Sequence, residues 1–317
     1  MRAAVLDDYQ GAALSLADWA SLSPAVETTF FRDTLAELDK LAARLAGFEI
    51  IVAMRERTAF PQALLERLPK LKLLITTGKR NASIDIKAAA ARGITVCGTD
   101  MLPYPTAELT WGLIIALARN IPREVAGMRA GGWQTTVGMG LKGKTLGLLG
   151  LGNLGSQVAR VGIAFGMAAI AWSQNLTVER AQAVGATLVS KEELFRRADV
   201  VSVHLVLSGR SRGLVGAPEL KLMKRSAYLV NTSRGPIVDS KALMAALEGG
   251  HIAGAALDVY DEEPLPADHA LRRLKNAVLT PHLGYVTAET YRLAYGGAVE
   301  DIRAFLDGKP VRVLSAG

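Results

Sequence analysis

Three glycines spaced as G-x-G-x-x-G follow an apolar run near the middle of the chain. Gly150, Gly152 and Gly155 come directly after TLGLL at 145–149 and open a stretch of helical character. In such an arrangement the first glycine allows a tight turn, the second lets the backbone approach a pyrophosphate, and the third lets the helix pack close to the strand. The N–H groups of the first helical turn then face the phosphates. The spacing therefore predicts a dinucleotide-binding site.

Polar side chains stand at the ends of three later apolar runs, where doubly wound sheets place their sites. Arg234 follows AYLVN (227–231), and its planar guanidinium suits a carboxylate. Asp258 and Glu263 belong to LDVYDEEP, and His282 belongs to TPHLG. Histidine is the side chain most often used for acid–base catalysis near neutral pH. Together these residues predict proton transfer on an anionic substrate.

The apolar run at 167–172 is the second predicted strand of the dinucleotide-binding part. The residues at its end determine how the adenosine ribose of a dinucleotide is bound. A carboxylate usually stands there, roughly 20 residues past the first glycine, and accepts hydrogen bonds from the ribose hydroxyls. Here Ser173 and Gln174 follow the strand. A carboxylate would repel a 2′-phosphate and Ser173 does not, but the nearest arginine is Arg180, seven residues further on. The sequence leaves NAD and NADP both open.

The elements that must position these residues follow from the same apolar runs. Strand-like runs lie at 145–149, 167–172, 200–205, 227–231, 253–259 and 277–280. Spacings of roughly 25–30 residues suit repeated strand–helix units in a parallel sheet.

Helical and strand-like patterns also divide the chain. Residues 1–103 alternate apolar runs with helical segments, such as a predicted helix at 34–47, and form a small α/β unit of their own. A long helical pattern at 106–119 opens the dinucleotide-binding part, and another at 287–308 follows it. We therefore expect an NAD(P)-binding domain at 104–284, inserted into a substrate-binding domain made of 1–103 and 285–317, with a cleft between them.

Composition limits the class of protein. The 317 residues are 50% hydrophobic, which suits a globular chain of about two domains. The net charge is +7, but the 37 Lys and Arg are scattered, which argues against nucleic-acid binding and favours a mild attraction for anionic substrates. No apolar stretch reaches the roughly 18 residues of a membrane span. With the single cysteine, Cys97, and no cluster of metal ligands, the sequence predicts a cytoplasmic protein without a metal site.

The chain resembles the D-isomer-specific 2-hydroxyacid dehydrogenases over nearly its whole length. The segments that carry the resemblance are TTGKRNASID (76–85), TAELTWGLIIALAR (106–119), GLLGLGNLG (147–155), NTSRGPIVD (231–239), LDVYDEEP (257–264) and TPHLG (280–284). The resemblance implies an α/β protein in which a Rossmann-type, doubly wound parallel sheet is inserted into a smaller, flavodoxin-like substrate domain. It implies a homodimer that interconverts a small 2-hydroxy acid and its 2-oxo acid with NAD or NADP, as glyoxylate and hydroxypyruvate reductases do.

The resemblance also implies a role for each site residue. Arg234 would bind the substrate carboxylate and polarise its carbonyl, Glu263 would orient the histidine, and His282 would be the acid/base. The implied cofactor-binding residues are Gly150, Gly152, Asn153, Leu154, Gly155, Ser173, Gln174, His204, Thr232 and Asp258. The implied substrate-binding residues are Gly78, Lys79, Arg80 and Asn81, besides Arg234 and His282. The chemistry agrees, because hydride addition at C2 leaves negative charge on oxygen that a protonated imidazole can neutralise.

One loop departs from the family pattern. Lys79, Arg80 and Asn81 stand where many relatives have smaller or apolar side chains. Their charge favours a dianionic substrate, such as a phosphorylated or dicarboxylic hydroxy acid, if the side chains face the site. If they face solvent, only the backbone binds. The sequence leaves both alternatives open.

Two other functions are compatible with the same fold. A formate dehydrogenase has no proton to transfer to its substrate and carries glutamine in the role of Glu263, so the glutamate favours hydroxy acids. An NAD(H)-sensing binding protein of the corepressor type keeps the same three polar residues, and peptide capture without turnover would distinguish it. We expect the enzyme.

Overall fold

The computed structural model describes residues 1–315, which contain twelve strands and twelve α-helices. The strands are β1 (Arg2–Val5), β2 (Glu27–Phe30), β3 (Ile50–Ala53), β4 (Leu73–Thr76), β5 (Thr95–Gly98), β6 (Thr145–Leu149), β7 (Ala168–Trp172), β8 (Thr187–Leu188), β9 (Val200–Val203), β10 (Tyr228–Asn231), β11 (Gly254–Leu257) and β12 (Ala277–Leu279). The helices are α1 (Ala13–Leu16), α2 (Leu38–Leu45), α3 (Gln62–Leu65), α4 (Ile86–Ala91), α5 (Pro105–Ala118), α6 (Ile121–Arg129), α7 (Asn153–Ala164), α8 (Val178–Gln182), α9 (Lys191–Arg197), α10 (Ala217–Leu222), α11 (Ser240–Glu248) and α12 (Ala288–Leu306).

The chain divides into two units. The first unit consists of Met1–Leu102 together with the segment that starts at Val286, and the second unit is Pro103–Tyr285. Across residues 1–315, no helix is both long enough and apolar enough to span a bilayer.

The first unit contains a five-stranded parallel sheet in the order β2-β1-β3-β4-β5. This is the strand order of flavodoxin-like folds. The central strands β3 and β4 are buried along their whole length, as expected of parallel strands covered on both faces. The edge strand β2 is only partly buried, and its sequence ETTF contains no apolar run that would have predicted it.

The second unit contains a seven-stranded parallel sheet in the order β12-β11-β10-β9-β6-β7-β8. From β6 the chain first builds outward through β7 and β8, then crosses to the other side of β6 and continues through β9 to β12. The point between β6 and β9 where the direction reverses is where doubly wound sheets bind ligands, at the carboxyl ends of the strands. The predicted fold class, a Rossmann-type sheet with a flavodoxin-like companion, is confirmed.

The helix α5 packs against the face of this sheet with α7. The indole N–H of Trp111 donates to the carbonyl of Val158 at 3.2 Å, and both side chains lie in one apolar cluster with Leu146 and Ile114. Most residues of this apolar helix are buried.

The predicted helix at 34–47 is wrong at its start, because α2 begins only at Leu38. Two side-chain interactions hold the preceding residues outside the helix. The guanidinium of Arg44 donates to both carboxylate oxygens of Asp33, at 2.9 and 2.7 Å, and the Thr34 hydroxyl donates to Asp7. These tertiary contacts replace the first helical turn that the pattern predicted.

Candidate active site

The glycine-rich turn after β6 has the geometry that its spacing predicts. Gly150 has φ of +98°, in the left-handed region, and its N–H donates to the carbonyl of Trp172 at 2.8 Å. A Cβ on Gly155 would lie 2.2 Å from the carbonyl oxygen of Gly150, so only glycine lets α7 pack this close. A Cβ on Gly152 would meet no heavy atom within 4 Å, so the turn has open space on that side.

The amino end of α7 faces that open space. Gly152 is the N-cap and supplies no side-chain hydrogen bond, so the first-turn N–H groups, beginning at Asn153 and Leu154, are available to a ligand. Such N–H groups and the helix dipole favour an anion. The turn and the helix start fit the pyrophosphate of a dinucleotide.

The predicted ribose-binding residues lie in the turn that follows β7. Ser173 is half-buried and its carbonyl accepts from the N–H of Leu176 at 3.1 Å, whereas Gln174 is exposed. Arg180 lies in α8 and is exposed. The turn therefore offers neutral polar groups at the end of β7.

His204 lies against the glycine-rich turn. Its N–H donates to the carbonyl of Leu149 at 2.7 Å, and its Nε2 lies 2.8 Å from the hydroxyl of Ser202. Burial lowers the pKa of His204 to about 4, so its ring is neutral at neutral pH. A Cβ on Gly155 would lie 3.4 Å from the Cβ of His204, so the side chain of His204 packs directly against the glycine-rich turn.

Thr232, another predicted cofactor residue, is buried directly after β10. Its hydroxyl lies 2.8 Å from that of Thr110, which itself donates to the carbonyl of Thr106 at 2.7 Å. Because the Thr110 proton is used in that bond, Thr232 donates to Thr110. This contact joins the β10 end to helix α5.

The loop after β10 holds Arg234 through a residue that sequence reasoning did not select. The side-chain amide of Asn231 donates to the carbonyl of Arg234 at 3.0 Å, and its Oδ1 accepts from the N–H of Ser233 at 3.0 Å. Arg234 Nη1 also donates to the carbonyl of Ser233 at 2.8 Å. Asn231 thus fixes the backbone from which Arg234 projects. The sequence offered one signal for Asn231, a polar residue at the last position of an apolar strand.

Gly235 sets the distance between this loop and the next one. A Cβ at Gly235 would lie 2.1 Å from the carbonyl carbon of Tyr260 and 2.6 Å from the nitrogen of Asp261. The backbone after Arg234 therefore packs directly on the segment that leads to Glu263.

Asp258 organises the turn that carries the histidine. Its carboxylate is fully buried and accepts hydrogen bonds from the Thr280 hydroxyl at 2.6 Å, the Leu283 N–H at 2.7 Å and the Gly284 N–H at 2.9 Å. Burial raises the pKa of Asp258, although these hydrogen bonds and the charge on His282 act to lower it. Both oxygens are thus engaged within the protein, and the predicted cofactor contact of Asp258 stays a prediction.

Glu263 and His282 form a close pair. The Nδ1 of His282 lies 2.5 Å from the Oε2 of Glu263, whose Oε1 accepts from the N–H of Tyr260 at 2.9 Å. Burial raises the pKa of Glu263, but the hydrogen bond and charge of His282, together with the Tyr260 N–H and the charge of Arg234, lower it overall. Because Nδ1 is held by the carboxylate, Nε2 is the nitrogen available for proton transfer.

The backbone of His282 adopts an unusual conformation. Its φ is +54°, in the left-handed region that few residues other than glycine adopt, although asparagine, aspartate and histidine do so more often than the rest. Its ring meets Tyr285 edge to face, with 5.4 Å between centroids. Strained residues of this kind concentrate at functional sites.

The predicted substrate loop at 78–81 lies in the first unit. Lys79 is ion-paired with Asp100 at 2.7 Å, and Arg80 is exposed. Asn81 is buried, and its amide donates to the carbonyl of Arg55 at 2.6 Å and to the hydroxyl of Thr76 at 2.8 Å. Asn81 thus shapes the loop, and its predicted contact with substrate stays a prediction.

Arg55 borders this loop and was missed by sequence reasoning. It follows β3 with φ of +53°, and its N–H donates to the hydroxyl of Thr77 at 2.9 Å. A Cβ on Gly78 would lie 2.1 Å from Arg55 Nη1, so glycine leaves room for the guanidinium. The only sequence signal was a basic residue directly after an apolar strand.

Comparison with known proteins identifies the family. Residues 111–284 match the model of the D-isomer specific 2-hydroxyacid dehydrogenase, NAD binding domain. The chain belongs to the D-isomer specific 2-hydroxyacid dehydrogenase family. It is 43% identical over 256 residues to a glyoxylate reductase of Aeropyrum pernix, covering 78% of this chain and 76% of that protein.

Two further members of the family are similar. The D-3-phosphoglycerate dehydrogenase of Methanocaldococcus jannaschii is 38% identical over 275 residues, which are 86% of this chain but only 52% of that protein, so the chain spans about half its length. A crystal structure of a phosphoglycerate oxidoreductase from Vibrio cholerae superimposes with a TM-score of 0.92 at 36% identity, covering 97% of this chain and 99% of that one.

The second unit of the chain brings together most of the predicted site. The glycine-rich turn lies at the ends of β6 and β9, and Arg234, Asp258, Glu263 and His282 follow the neighbouring strands β10 to β12. The loop at 78–81 belongs to the first unit, and its role stays a prediction.

Proposed function

We propose that this protein is an NAD(P)-dependent D-2-hydroxyacid dehydrogenase that acts as a 2-oxo acid reductase, with His282 as its acid/base. The observation that carries the proposal is the 2.5 Å contact between His282 Nδ1 and Glu263, at the strand ends of a dinucleotide-binding unit. The similarity to glyoxylate reductases supports the substrate class.

Each polar residue has a distinct role in this proposal. The bound nicotinamide supplies the hydride for reduction and accepts it in oxidation. Arg234 holds the substrate carboxylate with its planar guanidinium and places positive charge beside the carbonyl oxygen. His282 Nε2 donates a proton to that oxygen in reduction and removes it in oxidation. Glu263 keeps the ring oriented and stabilises its charged form.

We propose that either NAD(H) or NADP(H) can bind. Ser173 stands where a carboxylate would otherwise accept hydrogen bonds from the ribose and repel a 2′-phosphate. The half-buried Ser173 and the exposed Gln174 are neutral, so they permit both forms of the ribose.

The substrate is a small 2-oxo acid in this proposal, with glyoxylate and hydroxypyruvate as the first candidates. The backbone of the 78–81 loop would hold the carboxylate. Arg55 beside Gly78 adds a fixed cation that also suits a second negative charge, as in a phosphorylated acid. Lys79 is engaged by Asp100 and contributes less charge than its sequence position suggests.

We further propose that the enzyme is a homodimer. Helix α6 has no buried residue, and it exposes Val125 and Met128. The segment after it exposes 74% of Trp133 and 96% of Val137. Contiguous exposed apolar residues of this kind mark protein–protein contacts, and a second copy of this chain is the partner that the family resemblance implies.

Initial-rate assays test the proposed activity. NADH and NADPH oxidation would each be followed with glyoxylate, hydroxypyruvate and 3-phosphohydroxypyruvate. Turnover on at least one acid supports the proposal. Binding of the cofactor without turnover on any of the three acids would contradict the proposed substrate class.

A further inference from the structure

A pocket of about 140 Å³ lies in the second unit, between the start of α11 and the segment that runs from β11 past Glu263. Its floor is apolar and contains Leu243, Leu257 and Leu271, all at most 4% exposed. An apolar cavity of about 150 Å³ holds a molecule the size of benzene. The pocket therefore has room for one small hydrocarbon group.

The rim of the pocket is acidic. Asp261 and Glu262 are exposed there, and neither side chain has a hydrogen bond or ion pair with any residue that the structure describes. Burial against the rim raises the pKa of Asp261; Arg212 and His269 lower it and Asp239 raises it. The Asp239 carboxylate is already used, because it caps α11.

The pocket lining also contains an imidazole, that of His269. His269 Nδ1 accepts from the N–H of Leu271 at 3.2 Å, so its neutral ring carries the proton on Nε2. Arg212 acts on Asp261, and Arg272 donates to the carbonyl of Leu265, but neither arginine lines the pocket. Apart from the imidazole, the charged side chains that line the pocket are therefore the carboxylates of Asp261 and Glu262, above an apolar floor.

We propose that this pocket binds a small organic ammonium ion with a branched or cyclic hydrocarbon group. The hydrocarbon would fill the space above Leu243 and Leu257, and the ammonium group would pair with Asp261 and Glu262. Ligand pockets combine an apolar lining with a few convergent polar groups in this way. The ammonium retains a charge partner and access to water at the rim, which avoids the cost of burying an unpaired charge.

The pocket is connected to the active site through its walls. Gly235, which follows Arg234, and Tyr260, whose N–H donates to Glu263, both line it. A ligand in contact with both residues would restrain the two segments that carry Arg234 and Glu263. The proposed site is thus placed to influence the orientation of the His282 ring, although ligand binding itself does not depend on the proposed enzymatic activity.

Imidazole NMR signals test the proposal directly, because the chain contains only four histidines. Isopentylammonium would be titrated into the full-length protein labelled at histidine, with isopentanol as the neutral isostere. The His269 signal, assigned with His269→Gln, should shift and saturate. The His251 signal, beyond the other end of α11, should not move. A His269 signal that does not respond would overturn the proposal.

Charge-removing variants separate the proposed contact from general hydrophobic binding. Asp261→Asn combined with Glu262→Gln should weaken isopentylammonium binding about tenfold, which corresponds to one lost ion pair of about 1.4 kcal/mol. The same variant should leave isopentanol binding unchanged. Glu248→Gln, at the opposite end of α11, is the matched control and should change neither. Equal affinity for the ammonium and the alcohol, or no effect of the double variant, would contradict the proposed ligand class.

Discussion

Glu263 Oε2 lies 2.5 Å from His282 Nδ1, although the two residues belong to different loops, one after β11 and one after β12. Two backbone features produce this contact. The Tyr260 N–H fixes the other oxygen of Glu263, and the buried carboxylate of Asp258 accepts from the N–H groups directly after His282. The imidazole orientation is thus determined by a network that begins in the sheet core.

Replacing Glu263 with Gln should lower kcat about 10- to 100-fold, because the amide can still hydrogen-bond the ring but does not stabilise its charge. The pH dependence of stability should change as well. His282 lowers the pKa of Glu263 below its ordinary value of 4.5, so this stabilisation is present above pH 4.5 and is lost as pH falls through the lower folded-state pKa.

In Glu263→Gln, the free energy of unfolding measured by urea titration should therefore fall less steeply than in the wild type as the pH drops below 4.5. Glu262→Gln, on the neighbouring residue, is the matched control for both measurements. If the free energy of unfolding fell as steeply with decreasing pH in Glu263→Gln as in the wild type, the assigned ion pair would be contradicted.

Replacing Gly235 with Ala should reduce activity about 100-fold, because the new methyl group collides with the Tyr260 backbone and separates the loops that carry Arg234 and Glu263. The overpacking should also lower the free energy of unfolding by about 1–3 kcal/mol. Gly209→Ala, where a Cβ would meet nothing within 4 Å, should change neither quantity. Steady-state kinetics and urea titration check both effects, and equal results for the two variants would count against the proposed packing constraint.

Replacing Ser173 with Asp should weaken NADPH binding about 10- to 100-fold by charge repulsion of the 2′-phosphate, and should leave NADH binding unchanged or tighter. Quenching of intrinsic fluorescence by each cofactor measures the two dissociation constants without turnover. Ser173→Asn provides a neutral control of similar size. If Ser173→Asp changed both cofactors equally, the turn after β7 would not be the ribose-binding site.

Replacing Trp133 with Lys should shift a dimer toward monomer, because the charge would have to be buried in the proposed interface. Analytical ultracentrifugation over a concentration series measures the change. Val178→Lys, an exposed apolar position on α8, is the control. A wild-type protein that is monomeric at high concentration would contradict the proposed homodimer.

The sequence predicts the sheet of the second unit well because its strands are continuous apolar runs. β6, β7, β9, β10, β11 and β12 all lie within such runs. The strands β2 and β8 have no comparable pattern, and each is a partly buried strand at one edge of its sheet. Edge strands of this kind are fixed by their neighbours in the sheet.

The site itself is predictable only in part. The glycine spacing predicts the turn at Gly150, and the resemblance implies the pairing of Glu263 with His282. Asn231 and Arg55 could not be selected, because their roles depend on loop conformations and long-range contacts. Asn81, for example, reaches the Arg55 carbonyl across 26 residues of sequence. The substrate loop and the assigned roles stay predictions.

The role of His282 is the central claim, and His282→Gln tests it most directly. Loss of the acid/base should lower kcat for 2-oxo acid reduction about 10²- to 10⁴-fold, while the dissociation constant of the reduced cofactor stays within about threefold of the wild-type value. His251→Gln, an exposed histidine after α11, is the control and should remain fully active. A His282→Gln enzyme with unchanged kcat, or one whose only defect is weaker cofactor binding, would contradict the account.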